Sequence, residues 1–86
     1  MDGSNPKVTV YTMDYCSYCE AAKALLKRKG IAFQEIRLDD DDEQAWRDLE
    51  KRSGMKTMPQ IFMKSGDAEK LIGGYRELVQ YLSDSD

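Results

Sequence analysis

Val8-Thr9-Val10-Tyr11-Thr12 runs through Met13-Asp14-Tyr15 into Cys16-Ser17-Tyr18-Cys19, and the reading of this stretch decides the fold. Its first part carries β-favouring residues without a breaker, so a strand is predicted over residues 7–12. After Cys16 the spacing becomes helical: Ala21 with Leu25 and Ala22 with Leu26 are (i, i+4) pairs on one face. Gly30 ends that helix, with Lys27, Arg28 and Lys29 favourably placed in its last turn. Cys16 and Cys19 are the chain's only cysteines. Set between a strand and a helix, a pair with two intervening residues reads as redox chemistry in an intracellular chain.

The rest of the chain extends this plan. Residues 31–38 form a second expected strand, with Ile36 and Leu38 directed into the core. The acidic run from Asp39 to Glu43 supplies an N-cap and first-turn charges to a second helix carrying Ala45, Trp46 and Leu49. That helix closes near Ser53-Gly54. Pro59 precedes two more strands, residues 60–64 and 69–72, joined in a hairpin by Ser65-Gly66-Asp67. After Gly73-Gly74, the residues Tyr75, Leu78, Val79 and Leu82 fall at i, i+3, i+4 and i+7, the pattern of a helix with one buried face. The order β-α-β-α-β-β-α predicts an α/β fold with a four-stranded mixed sheet and helices on both faces. One domain spanning 1–86 is expected, with flexible tails at 1–6 and 83–86.

Composition narrows the function. A net charge of −3 without a basic cluster points away from nucleic acid. The first six residues have neither the positive nor the apolar region of a signal peptide, and no segment approaches the ~20 apolar residues of a membrane span. A cytoplasmic setting is expected, where thiols stay reduced and a cysteine pair serves catalysis rather than stapling. A zinc site within one chain lacks ligands, since about four are needed and the chain has two cysteines and no histidine. A purely structural disulfide would close too short a loop to remove much chain entropy. The acidic run lacks the spacing of a calcium loop and is read as the cap of its helix. Trp46 and the five methionines are read as core or groove filling.

Position then divides the labour of the two thiols. The first turn of a helix offers unpaired N–H groups and the positive end of the dipole, which favour a thiolate. Cys16, at the N-cap, is the expected nucleophile. Cys19, almost one turn further in, is the expected buried, resolving thiol.

Three motifs in order, Cys16-Ser17-Tyr18-Cys19, Thr57-Met58-Pro59 and Gly73-Gly74-Tyr75, make the chain resemble a small dithiol glutaredoxin of bacterial type. The resemblance runs from about Val8 to Leu82. It implies a thioredoxin fold and the glutathione-dependent reduction of protein disulfides and glutathione mixed disulfides, within cellular electron transport and redox homeostasis. It also implies a cis bond before Pro59 and pairing of the Met58 backbone with the glutathione cysteine. The γ-glutamyl carboxylate is expected on the N–H groups of Tyr75 and Arg76, beyond Gly74, with Tyr18 and Thr57 along the tripeptide. Expected partners are glutathione, disulfide-containing or glutathionylated proteins and, through glutathione, glutathione reductase. The implied protein is a monomer that binds neither nucleic acid nor membrane.

The chain departs from the family pattern in several places. Met13 stands where many members carry Lys or Arg, Trp46 where a basic or amide residue clamps the glycine carboxylate, with Arg47 adjacent, and Arg76 where an acid or Ser is common. Ser17 replaces the commoner proline. Some members with Cys-Ser-Tyr-Cys bind a [2Fe-2S] cluster between two protomers, through the first cysteine of each and two glutathione thiols. A cluster-bridged dimer, with Cys16 as ligand, therefore stays open as an alternative. A redoxin fed by thioredoxin reductase is disfavoured, because the Trp-Cys-Gly-Pro-Cys site is absent and the Gly-Gly element is present.

Overall fold

The computed structural model describes residues 7–85. Its elements are β1 (Val8–Thr12), α1 (Ser17–Arg28), β2 (Phe33–Arg37), α2 (Glu43–Ser53), β3 (Gln60–Ser65), β4 (Ala68–Gly73) and α3 (Tyr75–Ser85). The sheet order is β2-β1-β3-β4. β1 pairs parallel with β2 and antiparallel with β3, and β3 pairs antiparallel with β4. This is the four-stranded mixed sheet with three helices of the thioredoxin fold. Residues 1–6, expected as a tail, lie outside the described residues, as does residue 86. α3 runs on to Ser85, three residues into the stretch expected as the other tail.

Alternation along β1 explains the two layers. Val8, Val10 and Thr12 are buried and the residues between them half-buried, the period-2 pattern of a strand covered on both faces. On one face Val8 and Val10 pack with Ala22, Leu25 and Leu26 of α1, Ile61 of β3, and Leu78 and Leu82 of α3. On the other, Leu49 of α2 joins Leu38, Met58 and Phe62, with Tyr11, Ile36 and Trp46 against them. α1 and α3 thus share one side, and α2 covers the other.

Helix ends follow local chemistry. α1 stops in a Schellman arrangement: Gly30, at φ 72°, donates to Lys27 O, and Ile31 N–H donates to Leu26 O at 2.9 Å. Asp42 caps α2, its carboxylate accepting the Ala45 N–H at 3.2 Å, as the acidic run predicts.

Some expectations are corrected. Val79 shares the sequence spacing of the buried residues of α3 yet is 39% exposed. The i+4 position lies at the margin of the contact face: Leu78 and Leu82 are buried in the core and Tyr75 packs against it, and Val79 is in neither group. β2 is shorter than residues 31–38: Ile31 N–H is taken by Leu26 O at the end of α1, so the strand starts at Phe33, and Leu38 N–H makes the last bond to β1, donating to Thr12 O at 2.8 Å. Leu38 is nonetheless buried, and Ile36 half-buried.

Candidate active site

Cys16 is the N-cap of α1, with extended backbone (φ −118°, ψ 103°) and a sulfur that accepts the Cys19 N–H at 3.2 Å. A cysteine is placed where a Ser or Asp usually caps, so its Sγ takes up one of the donors that a helix start leaves unpaired. The same N–H and the helix dipole stabilise negative charge on that sulfur once the pair is reduced. Cys16 and Cys19 are joined as a disulfide, with Cα atoms 5.2 Å apart. Cys19 is fully buried and Cys16 only partly so. Tyr15, just before Cys16, has φ 57° and a wholly exposed side chain. Its left-handed conformation turns the chain from β1 into α1.

The second part of the site is the segment entering β3. The Met58–Pro59 bond is cis, and Met58 and Pro59 are buried while Thr57 is exposed. Gln60, 1% exposed, reaches back with its side-chain amide to Met55 O at 3.2 Å and Thr57 O at 3.1 Å. One buried side chain thereby holds the shape of the loop beside the thiol.

The third part is the start of α3. Gly73 has φ 129°, and a Cβ there would lie 2.7 Å from the Glu77 Cβ, so glycine is required for this close turn. Glu77 Oε1 accepts the Gly74 N–H at 2.9 Å. A β-bulge in the β3–β4 ladder, where Ile61 opposes Gly73 and Phe62 opposes Leu71, delivers the two glycines to this position.

Tyr18, Thr57, Met58, Pro59, Gly74, Tyr75 and Arg76, all singled out from sequence, line one cleft of about 410 Å³ together with Met55 and Glu77. The Tyr18 and Tyr75 rings lie 6.0 Å apart across it. A neighbouring cleft of about 500 Å³ contains Cys16, Met13, Ser17 and Lys56, and shares Tyr18, Thr57 and Met58 with the first. The sulfur therefore opens onto a groove with a backbone edge at Met58 and a helix start beyond it. Extended peptide bound along that edge would meet main-chain partners and then an anion-favouring terminus.

Lys56 is the residue that sequence reasoning missed. It lines the cleft of Cys16, its side chain is 80% exposed, and the Glu50 carboxylate lies 3.9 Å away. Its position immediately before Thr57-Met58-Pro59 was the available signal. Gln60, immediately after Pro59, was legible in the same way. Among the described residues no group of three or more His, Cys, Asp or Glu comes together to hold a metal ion. With Cys19 buried, one chain offers a cluster only Cys16, and the remaining ligands have to come from outside it. No helix among the described residues is long and apolar enough to cross a membrane.

Comparison with known proteins agrees with this geometry. The glutaredoxin family model matches residues 8–66. Glutaredoxin 3 of Escherichia coli is 45% identical over 71 residues, covering 83% of this chain and 80% of its own length. A glutaredoxin of Pseudomonas aeruginosa is 41% identical over 73 residues, 85% of this chain and 81% of its own. Among solved structures, a buckwheat glutaredoxin–glutathione complex superposes with a TM-score of 0.79 at 26% identity, covering 93% of this chain and 71% of that one. The solution structure of a Brucella melitensis glutaredoxin gives 0.72 at 37% identity, covering 98% and 86%.

Proposed function

Because the chain belongs to the glutaredoxin family and is a thiol–disulfide oxidoreductase, we propose that it takes its electrons from glutathione and passes them through Cys16. The observation that carries this is the groove itself. Cys16, whose sulfur accepts the Cys19 N–H, opens between Tyr18, Thr57 and Met58 toward the start of α3.

With a glutathionylated protein, the Cys16 thiolate attacks the glutathione sulfur and the protein thiolate leaves. A second glutathione thiolate then attacks the bound glutathione sulfur, releasing oxidised glutathione and the Cys16 thiolate. With a protein disulfide, Cys16 forms the mixed disulfide and releases one protein thiolate. Cys19 then attacks Cys16 Sγ, releasing the second and leaving the Cys16–Cys19 disulfide. Two glutathiones restore the dithiol: the first bonds to Cys16 and expels Cys19, and the second removes the first as oxidised glutathione.

In the bound tripeptide, the cysteine lies along Met58 and the γ-glutamyl carboxylate on the N–H groups of Tyr75 and Arg76, with Gly74 leaving room for approach. Lys56 takes the glycine carboxylate, the role that a cation at the Met13 position serves in many relatives. Such an enzyme works in a reducing, glutathione-containing compartment, the cytoplasm, as one domain and a monomer.

The test is turnover of a small glutathione mixed disulfide, with glutathione and glutathione reductase supplied. Turnover by a colourless monomer is expected, with no reduction by thioredoxin reductase. Electrons taken from thioredoxin reductase instead would overturn the glutathione reading. A brown dimer that gains activity only on losing its colour would give Cys16 to a [2Fe-2S] cluster shared between two chains.

A further inference from the structure

A further groove leaves the site at the start of α3. It encloses about 490 Å³ between β4 and α3, with Lys70 and Ile72 from the strand and Arg76, Glu77, Gln80 and Tyr81 from the helix. Arg76 and Glu77 also line the cleft of Tyr18 and Met58, so the two are continuous. Alternation along β4 sorts its side chains: Glu69 turns to Arg52 of α2, and Lys70 and Ile72 turn to α3. The floor is apolar. Ile72 is half-buried against the core, and the Tyr81 hydroxyl donates to Met63 Sδ at 3.2 Å, which holds the ring. The charges are one-sided. The Glu77 carboxylate is engaged by the Gly74 N–H at 2.9 Å, while Lys70 and Arg76, both exposed, make no ion pair among the described residues. A chain of net charge −3 thus keeps two unpaired cations beside its reaction groove.

Resting on the glutathione reading above, the Met58 backbone pairs with the cysteine of the tripeptide, and the γ-glutamyl residue ahead of that cysteine ends at the start of α3. Main-chain pairing fixes the direction of the bound chain. A protein cysteine held at Met58 therefore sends its preceding residues the same way. In an exchange with a protein disulfide, the sulfur that leaves lies beyond the one attacked, so the half that bonds to Cys16 is the half lying along Met58. The tripeptide stops at α3, whereas a protein chain goes on, past Arg76 and Glu77 and along β4. We propose that the groove between β4 and α3 binds the segment preceding the reacting cysteine of a protein-disulfide substrate, and that it selects an acidic segment. Asp or Glu side chains of that segment reach Lys70 and Arg76, and its apolar parts rest on Ile72 and Tyr81. A basic segment meets two unpaired cations and is disfavoured. Charge complementarity of this kind sets encounter and partner choice more than tight affinity.

The test uses three peptides, each closed by one disulfide, with a run of Glu, Gln or Lys before the first cysteine, in the glutathione and glutathione reductase assay. Each rate is divided by the uncatalysed reduction by glutathione, because charges beside a cysteine alter the reactivity of its disulfide. The expected order of kcat/KM is Glu, Gln, Lys, with Glu ahead of Lys about tenfold at low salt and less than about threefold at about 0.5 M salt. Lys70→Glu should bring that ratio to about threefold or below at low salt, while turnover of a small glutathione mixed disulfide stays within about twofold of the parent. Lys27→Glu makes the same change of charge at an exposed position at the far end of α1, and should keep the ratio near about tenfold. If the small disulfide turns over while the three peptides react alike, the groove proposal is overturned and the glutathione reading stands. If both variants shrink the ratio equally, net charge rather than the groove makes the selection, and the proposal is again overturned. An inert small disulfide overturns the glutathione reading and this proposal with it.

Discussion

Glu77 and Gly74 close the start of α3 on themselves: the Glu77 carboxylate accepts the Gly74 N–H at 2.9 Å, while Gly74 O accepts the Leu78 N–H at 3.0 Å. The carboxylate thus satisfies a donor ahead of the first turn and complements the positive end of the helix. Glu77→Ala should lower stability by about 1 kcal/mol, a fall in Tm of about 4–8 °C for a chain of this size. Thermal unfolding at matched protein concentration measures it. An unchanged Tm would mean that the cap contributes nothing.

The two cysteines should separate by reaction. Cys19→Ser is expected to retain turnover of glutathione mixed disulfides and to lose the reduction of protein disulfides, which needs the resolving thiol. Cys16→Ser is expected to lose both, because no other thiol reaches the groove. Rates with one substrate of each kind decide it, and activity surviving in Cys16→Ser would refute the assignment of the nucleophile.

Gln60 positions the loop rather than touching substrate. Gln60→Leu removes both bonds to Met55 O and Thr57 O and leaves those carbonyls without that donor, at a cost of about 1–3 kcal/mol. A looser Thr57–Met58 edge should raise KM for a glutathione mixed disulfide more than it lowers kcat. Equal KM values for variant and parent would confine Gln60 to stability alone.

Tyr15 offers a stabilising change. Its φ of 57° is one that a non-glycine residue adopts at a cost, and its side chain is wholly exposed. Tyr15→Asn should raise stability by about 0.5–1 kcal/mol, since asparagine tolerates the left-handed region better. Denaturant midpoints compare the two proteins.

Acid sensitivity should pass through Glu35. Its carboxyl is held below the usual value of 4.5, first by the Thr12 hydroxyl, which donates at 2.7 Å, and then by Lys23, against the opposing effect of burial. A depressed folded-state value means that the unfolded chain binds the proton more readily. The contribution is therefore present above the unfolded value and lost as pH falls through the folded one. Thr12→Val should flatten the decline in stability below about pH 4.5, where this group acts. Denaturant midpoints across that acid range provide the comparison, and parallel curves for the two proteins would exclude the Thr12–Glu35 bond as a contributor.

What the chain determined by itself was local. The period-2 run before Thr12, the helical pairs after Cys16, the Asp42 cap and the glycine stops each depend on residues within a turn of one another, so element order and the deeper burial of Cys19 than of Cys16 were legible. Three short motifs sufficed to indicate residues that share one cleft. Tertiary structure decided what depends on contact across elements. It set Val79 at the margin of α3 and gave Ile31 N–H to Leu26 O, so that β2 starts only at Phe33. It also stretched Gln60 back to the loop it supports, and brought Lys56 and Met13 into one cleft with Cys16. Spacing along a chain reports which face a residue occupies, but not how far that face is covered. Met13 and Trp46 are 33 positions apart in sequence, and only the packing of α2 on the sheet brings them into one cluster.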